Sequence, residues 1–289
     1  MKAYHDIVDR ILREGKPKGD RTGTGTLTVA GVTFEHDMAT GFPLLTTKKL
    51  PFRLVATELE FFIKGYTDKR WLQEREVHIW DEWSSPQNAP YGHDQDAKQK
   101  MLEERDLGPI YGFQWRHFGA EYIRYDTDYT GKGIDQLKEV VDTLKTNPDS
   151  RRMLVSSWNP KDIPLMALPP CHYAFQVNVI DGKLNLMWDQ RSVDTMLGLP
   201  FNIASYGLLL HLLAKESRFK EGKLVGCLKD VHIYNNHLEQ VKKLLERDPC
   251  KYQLPSIETK FESIFTWKAE DTKVNNYQHH PAIKFKIAI

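Results

Sequence analysis

One domain that mixes helices with strands is what the sequence predicts, and three observations predict it. Apolar residues recur at helical spacing in some segments and alternate in others. Ile203 to Leu213 is apolar nearly all round, the pattern of a central buried helix. No internal repeat and no Pro/Gly/Ser linker divides the 289 residues, so a single domain spanning 1–289 is expected.

The N-terminal half supplies scaffold and several polar residues with two readings each. Ile7, Val8, Ile11 and Leu12 make one face of a first helix that stops at Gly15. Asp20 to Thr26 is a Gly/Thr loop before an alternating strand, Leu27 to Phe34. Its glycines permit close approach to a phosphate, but no GKS/T follows, so a Walker-type site is not supported. Arg21 in this loop is a solvated surface residue unless other arginines converge on it. A helix from about Phe52 to Lys64 carries Glu58 among apolar neighbours. Glu58 is either an exposed acid or a carboxylate in a dry pocket, with a raised pKa suited to proton transfer. Trp80 and Trp83 are core residues or a stacking platform for a planar ligand. Ser84 to Asp106 is polar and reads as a surface insertion, with a short helix around Asp96 to Glu104. Gly108 to Arg116, punctuated by glycine and rich in aromatics, reads as a loop that shapes a cavity.

Ile134, Leu137, Val140, Val141 and Leu144 give a further helix. Arg151-Arg152 then lead into a strand, Met153 to Trp158, and paired arginines are either solvated or hold phosphate bidentately. Val177 to Ile180 and Lys183 to Trp188 read as strands joined by Asp181-Gly182, the dipeptide a type I′ turn prefers. Such a hairpin brings Leu165-Met166-Ala167-Leu168-Pro169-Pro170-Cys171-His172 close to Asp189-Gln190-Arg191-Ser192. A cysteine after two prolines sits on a backbone whose φ angles are largely fixed, so its sulfur is aimed at little entropic cost. Cys171 is then a nucleophile whose thiolate Arg191 favours, or a small buried apolar residue. Asn202, near the start of the apolar helix, either caps it or reads a base edge carrying adjacent C=O and N–H groups. Asp230 to Tyr234 is a short strand-like run before a helix, Leu238 to Leu245, and the His232 to His237 spacing is poor for a metal site.

Charge and cysteine usage exclude several classes of function. The 40 basic and 39 acidic residues leave a formal charge of +1, too weak a field to hold DNA or an anionic membrane. An anion must therefore meet a local cluster. Three cysteines, Cys171, Cys227 and Cys250, have no CxxC spacing and fit a reducing compartment without a structural zinc. With no apolar signal core and no run of membrane-spanning length, the expectation is a cytoplasmic protein without metal, DNA or membrane partner.

Taken together, these segments resemble the thymidylate synthase family over nearly the whole chain. The resemblance rests on Asp20 to Thr26, Gly41 to Lys49, Asp106 to Gly112, the Pro-Pro-Cys-His run, Gln190-Arg191-Ser192, and Leu199 to Tyr206. It implies an α+β fold, with a twisted mixed sheet packed by helices and a sheet-to-sheet homodimer. The implied reaction is reductive methylation of dUMP to dTMP, with 5,10-methylenetetrahydrofolate as cosubstrate giving one carbon and a hydride and leaving as dihydrofolate.

By the same resemblance Cys171 adds to C6 of the uracil ring, Arg191 favours its thiolate, Glu58 moves protons to O4, and Tyr111 assists loss of the C5 proton. The dUMP phosphate falls to Arg21, Arg191 and Ser192, together with Arg151 and Arg152 of a second copy. Gln190 belongs to the nucleotide site, Asn202 reads N3–H and O4, and His232 with Tyr234 holds the ribose. Trp80, Leu197, Gly198 and Phe201 line the folate site. Asp194 bonds the pterin, and the tail, Ile287-Ala288-Ile289, closes over the ligands.

Several positions depart from the family pattern. Trp188 and Asp189 replace a small aliphatic residue and a tyrosine, and Asn178 stands where a bulky aromatic is usual. Glu60-Phe61 replaces Leu-Trp, and Gly226-Cys227-Leu228-Lys229 replaces a His-Thr-Phe/Leu-Gly run. These changes cluster on strands that are expected at the subunit interface. Two rivals share the chemistry or the fold: a pyrimidine nucleotide hydroxymethylase of the same superfamily, and a catalytically idle RNA-binding homologue.

Overall fold

Strands distant in the chain lie side by side at the centre of the molecule. A computed structural model describes residues 1–288. The helices are α1 (Lys2–Glu14), α2 (Phe52–Ile63), α3 (Arg70–Gln73), α4 (Gln95–Glu103), α5 (Tyr111–His117), α6 (Gln136–Thr146), α7 (Gly198–Ser217) and α8 (Leu238–Leu245). The strands are β1 (Lys16–Lys18), β2 (Thr26–Asp37), β3 (Leu154–Ser156), β4 (His172–Ile180), β5 (Lys183–Asp194), β6 (Lys220–Tyr234), β7 (Ser256–Thr259) and β8 (Thr272–Asn275). The first six strands form one twisted mixed sheet in the order β1-β2-β6-β5-β4-β3. All its neighbours are antiparallel except β5 and β6, which run parallel because α7 carries the chain back between them.

The alternation of the central strands decides which face is the core. Leu184, Leu186 and Trp188 of β5, Phe175 and Val177 of β4, and Leu224, Leu228 and Val231 of β6 are buried. Against them lies α7, whose Leu208, Leu209, Leu210, Leu212 and Leu213 are all fully buried, as its apolar circumference predicts. Helix α2 packs against both α5 and α7.

Four of the residues expected to depart from the family pattern, Asn178, Asp189, Glu60 and Trp188, have local partners. Asn185 Nδ2 donates to Asn178 Oδ1 at 3.0 Å across the β4/β5 ladder. Asp189 pairs with Lys229 on the adjacent strand, which keeps that carboxylate engaged beside Arg191. Glu60 pairs with Lys64 at 3.1 Å and accepts the Ala269 N–H at 2.8 Å. Trp188 and Gly226 face each other in the parallel ladder, and a Cβ on Gly226 would lie 2.5 Å from the indole ring. The large residue and the missing side chain are therefore one coupled change. Gly226→Ala should lower stability by about 1–3 kcal/mol through overpacking, read as a lower denaturant midpoint at unchanged slope.

Three expectations are corrected. Gly108 to Arg116 is not a loop throughout, since Tyr111–His117 is helix α5. Gly112 lies inside it because α5 crosses α2 there: a Cβ would fall 2.7 Å from the Phe62 carbonyl oxygen. The Asp230–Tyr234 run is the end of a 15-residue strand, β6. Strands β7 and β8, unforeseen, form a separate two-stranded sheet. The Asp181-Gly182 turn has φ of 50° and 69°, the doubly left-handed backbone of a type I′ turn.

Candidate active site

The β4/β5 hairpin mounts the cysteine. Its register steps between His172 and Ala174, so Tyr173 is the extra residue of a β-bulge immediately after Cys171. The Arg191 N–H donates to the Cys171 carbonyl at 2.8 Å. The Arg191 guanidinium donates from Nε to Pro170 O and from Nη2 to Pro169 O, both at 2.9 Å. The arginine thus clasps the two rigid residues before the nucleophile and keeps further N–H groups for an anion. It also lies over the Trp158 ring at 5.4 Å. Burial pushes the Cys171 thiol up, and the Arg191 charge pulls the other way. A clasped cation therefore opposes a dry environment, and the balance without ligands favours the thiol.

A second group of residues surrounds Cys171 from the helical side. Tyr111, on the first turn of α5, accepts the Cys171 N–H on its hydroxyl oxygen at 2.9 Å. Its own hydroxyl hydrogen is thereby free to donate elsewhere. His172 stacks on Tyr111 at 4.4 Å, and its Nδ1 lies 2.9 Å from the Tyr206 hydroxyl. Burial pushes His172 down to about 3, so it is a neutral spacer and not a base for the neighbouring thiol. Glu58 accepts the Trp80 indole N–H at 2.8 Å, and the Trp80 ring packs edge-on against Phe62 and Tyr111. Part of its side chain reaches a surface, yet the carboxyl is enclosed, and burial raises it to about 7 against the pull of that hydrogen bond. A carboxyl balanced near neutrality can both give and take a proton.

The ends of the parallel pair β5/β6 supply the remaining polar groups. Asp194 lies opposite His232 in register. Its Oδ1 accepts the N–H groups of Met196 at 3.0 Å and Leu197 at 3.1 Å, so Asp194 secures the turn that enters α7. Its Oδ2 has no partner among the described residues. Leu197, Gly198 and Phe201 are half-buried on and before the first turn of α7. Asn202 sits inside α7, so the capping alternative fails: its side chain accepts from Gln190 Nε2 at 3.1 Å. His232 is buried with Nδ1 3.2 Å from Asp230 Oδ1, and the Tyr234 ring lies 5.2 Å away at 81°. Burial, with Asp194 and Asp20 adding, raises Tyr234 to about 12. Asp20 braces the Gly/Thr loop by accepting the Gly25 N–H at 2.6 Å, and Asn235 N donates to Gly25 O at 3.0 Å. That docks the loop at the end of β6.

Other expected members are exposed or leave polar groups without a partner among the described residues. Arg21 is exposed and lies over Tyr91 at 4.9 Å. Arg151 and Arg152 are exposed, with guanidiniums that have no partner among the described residues. Ser192 gives its carbonyl to Gln190, and its hydroxyl has no partner among the described residues. In the tail, the Lys286 carbonyl lies 2.6 Å from His237 Nε2, and Phe285 packs on that ring at 5.1 Å. Ile287 is exposed and Ala288 half-buried. Ile289 lies outside the described residues. Sequence reasoning gave no site role to Tyr206, Trp188 or Lys69. A hydroxyl within an apolar helix was the available signal for Tyr206, since it needs a partner when buried. Lys69, 1% exposed, donates to the Trp83 carbonyl at 2.8 Å and also to Met101 O, which ties α4 down.

Among the described residues no group of three or more His, Cys, Asp or Glu is placed to hold a metal, and no helix is long and apolar enough to cross a membrane. Clefts of about 710 Å³ and 660 Å³ lie elsewhere, beside Trp71 and Lys215, and neither is lined by a cysteine. The family model described as thymidylate synthase matches residues 2–289. The chain belongs to the thymidylate synthase family. It is 46% identical over 286 residues to the human thymidylate synthase, covering 99% of this chain and 90% of that protein. It is also 46% identical over 289 residues to the thymidylate synthase of Varicella-zoster virus (strain Dumas), covering 99% and 93%. A bifunctional dihydrofolate reductase-thymidylate synthase from Paramecium tetraurelia matches at 46% over 286 residues, 99% of this chain but 61% of that protein.

Proposed function

We propose that this chain makes dTMP from dUMP by reductive methylation, with 5,10-methylenetetrahydrofolate as one-carbon and hydride donor. The observation that carries the reading is the conjunction at Cys171: Arg191 clasps the two proline carbonyls before it, Tyr111 takes its backbone N–H, and the Glu58 carboxyl stands near pH 7. The Cys171 sulfur bonds to C6 of uracil, which makes C5 nucleophilic toward the one-carbon unit. With Tyr111 assisting, C5 gives its proton to solvent water, Glu58 exchanges a proton with O4, and the sulfur–C6 bond breaks to return the thiolate. The folate supplies the methylene and the hydride and departs as dihydrofolate.

The donor set fits a pterin: the unpaired Asp194 Oδ2 accepts ring N–H groups, and the Trp80 side chain and the Leu197 to Phe201 turn give apolar and aromatic walls. The tail, with Ala288, excludes water. Arg21, Arg191 and Ser192 hold the phosphate, joined by Arg151 and Arg152 of a second copy in a homodimer. Their unpaired, exposed guanidiniums support that part of the reading. Gln190 with Asn202 holds the base, and His232 with Tyr234 holds the ribose.

Incubation with dUMP and methylenetetrahydrofolate tests it: dTMP with dihydrofolate is expected, whereas hydroxymethyl-dUMP with tetrahydrofolate would establish the hydroxymethylase. A mixture of Cys171→Ala and Arg151→Ala chains should regain about a quarter of wild-type turnover if heterodimers form statistically, each heterodimer keeping one intact site. Turnover no higher than that of the two separate variants would refute sharing of the phosphate site between copies.

A further inference from the structure

We propose that Trp188, which has no assigned role in the site, sets base selectivity by fixing through Gln190 which way the Asn202 amide faces. This rests on the reading above that Asn202 meets the base. Trp188 is wholly buried and its ring lies on Tyr206 at 5.3 Å and 9°, in space that Gly226 leaves open. Its indole N–H donates to Gln190 Oε1 at 3.1 Å.

An indole can only donate. On the other side of the same amide the Ser192 carbonyl, which can only accept, takes a hydrogen from Gln190 Nε2 at 3.1 Å. Gln190 is 2% exposed, so a reversed amide would bury two mismatched contacts with no water to relieve them. Its orientation is therefore determined. Nε2 then also donates to Asn202 Oδ1 at 3.1 Å, and turning the Asn202 amide over would set two NH₂ groups against each other. Asn202 Nδ2 has no protein partner among the described residues, so it points its hydrogens at whatever enters.

The result is a fixed pair of recognition groups, one remaining Oδ1 lone pair beside an Nδ2 donor. A uracil edge, N–H beside C=O, matches both. A cytosine edge, a bare ring nitrogen beside an amino group, opposes both. Trp188 acts through two intervening side chains and touches no ligand, which makes it a positioning residue.

Equilibrium binding of dUMP and of dCMP to the full chain and to Trp188→Phe tests this. Phenylalanine keeps a ring against Tyr206 and lacks the donor. The wild-type chain should prefer dUMP, and in Trp188→Phe the ratio of the two affinities should fall about tenfold, the worth of one buried hydrogen bond. Equal weakening of both nucleotides at an unchanged ratio would reduce Trp188 to packing and overturn the proposal, while leaving the function intact. A wild-type chain without preference would overturn the uracil reading and this proposal with it. Should Trp188→Phe fail to fold, Gln190→Met removes the central amide, and an undiminished ratio there would likewise overturn the relay.

Discussion

Cys171→Ala will abolish dTMP formation, by at least roughly 10⁴-fold, while dUMP still binds. Ring carbon C5 of uracil is too poor a nucleophile to attack a methylene without prior addition at C6, so no residual path exists that the remaining residues could promote. The variant should fold: the Cys171 side chain makes no hydrogen bond, and the backbone bonds to Tyr111 and Arg191 are independent of the side chain. Steady-state turnover together with dUMP affinity checks the prediction, and turnover within tenfold of wild type would remove Cys171 from the mechanism. Because burial holds the thiol up against Arg191, Arg191→Lys should also slow the reaction and shift its pH profile toward higher pH, since lysine keeps the charge but cannot clasp both proline carbonyls.

Glu58→Gln should lower kcat by about 10²- to 10³-fold with a smaller change in KM for dUMP, the scale of one positioned proton-transfer group. Its carboxyl stands at about 7, above the ordinary value of 4.5, because burial outweighs the Trp80 hydrogen bond. Two pH effects follow. The rate profile of the wild-type chain should carry a limb near pH 7 that is missing in the variant. For stability, the folded chain retains between pH 4.5 and 7 a proton the unfolded chain has released. This contribution is therefore full below about 4.5 and is lost as pH rises through 7. Denaturant midpoints of Glu58→Gln should decline less over that window than those of wild type, and parallel curves would place the titration elsewhere.

The fold was largely legible where local chemistry and burial agree. The Asp181-Gly182 turn, the apolar α7 and the stop at Gly15 are each dictated by a few adjacent residues, and each stands where the pattern placed it. Gly112 misled because a glycine that lets two helices touch looks the same in sequence as one that bends a loop. The β7/β8 sheet escaped notice because four-residue strands carry too little alternation to register.

In the candidate site, Cys171, Arg191 and Glu58 could be singled out as candidates because their residue types are costly where they stand. Tyr206 and Trp188 were not, since a large aromatic in an apolar run reads as packing until its hydrogen-bond partner is known. The environment of Asp189 was equally hidden: Lys229 lies 40 positions along the chain, and only the parallel register brings them together.

That same register governs the order in which the polypeptide can mature. Strand β2 is held on one side by the three residues of β1 and on the other by β6, with Thr26 opposite Tyr234. At roughly 5–20 residues per second, β2 leaves the ribosome on the order of ten seconds or more before that neighbour has been made. In the interval its edge is unsatisfied and its apolar side uncovered. A chain cut short before residue 220 therefore has no native sheet to complete and should be captured by chaperones or aggregate, whatever the state of its cysteine hairpin.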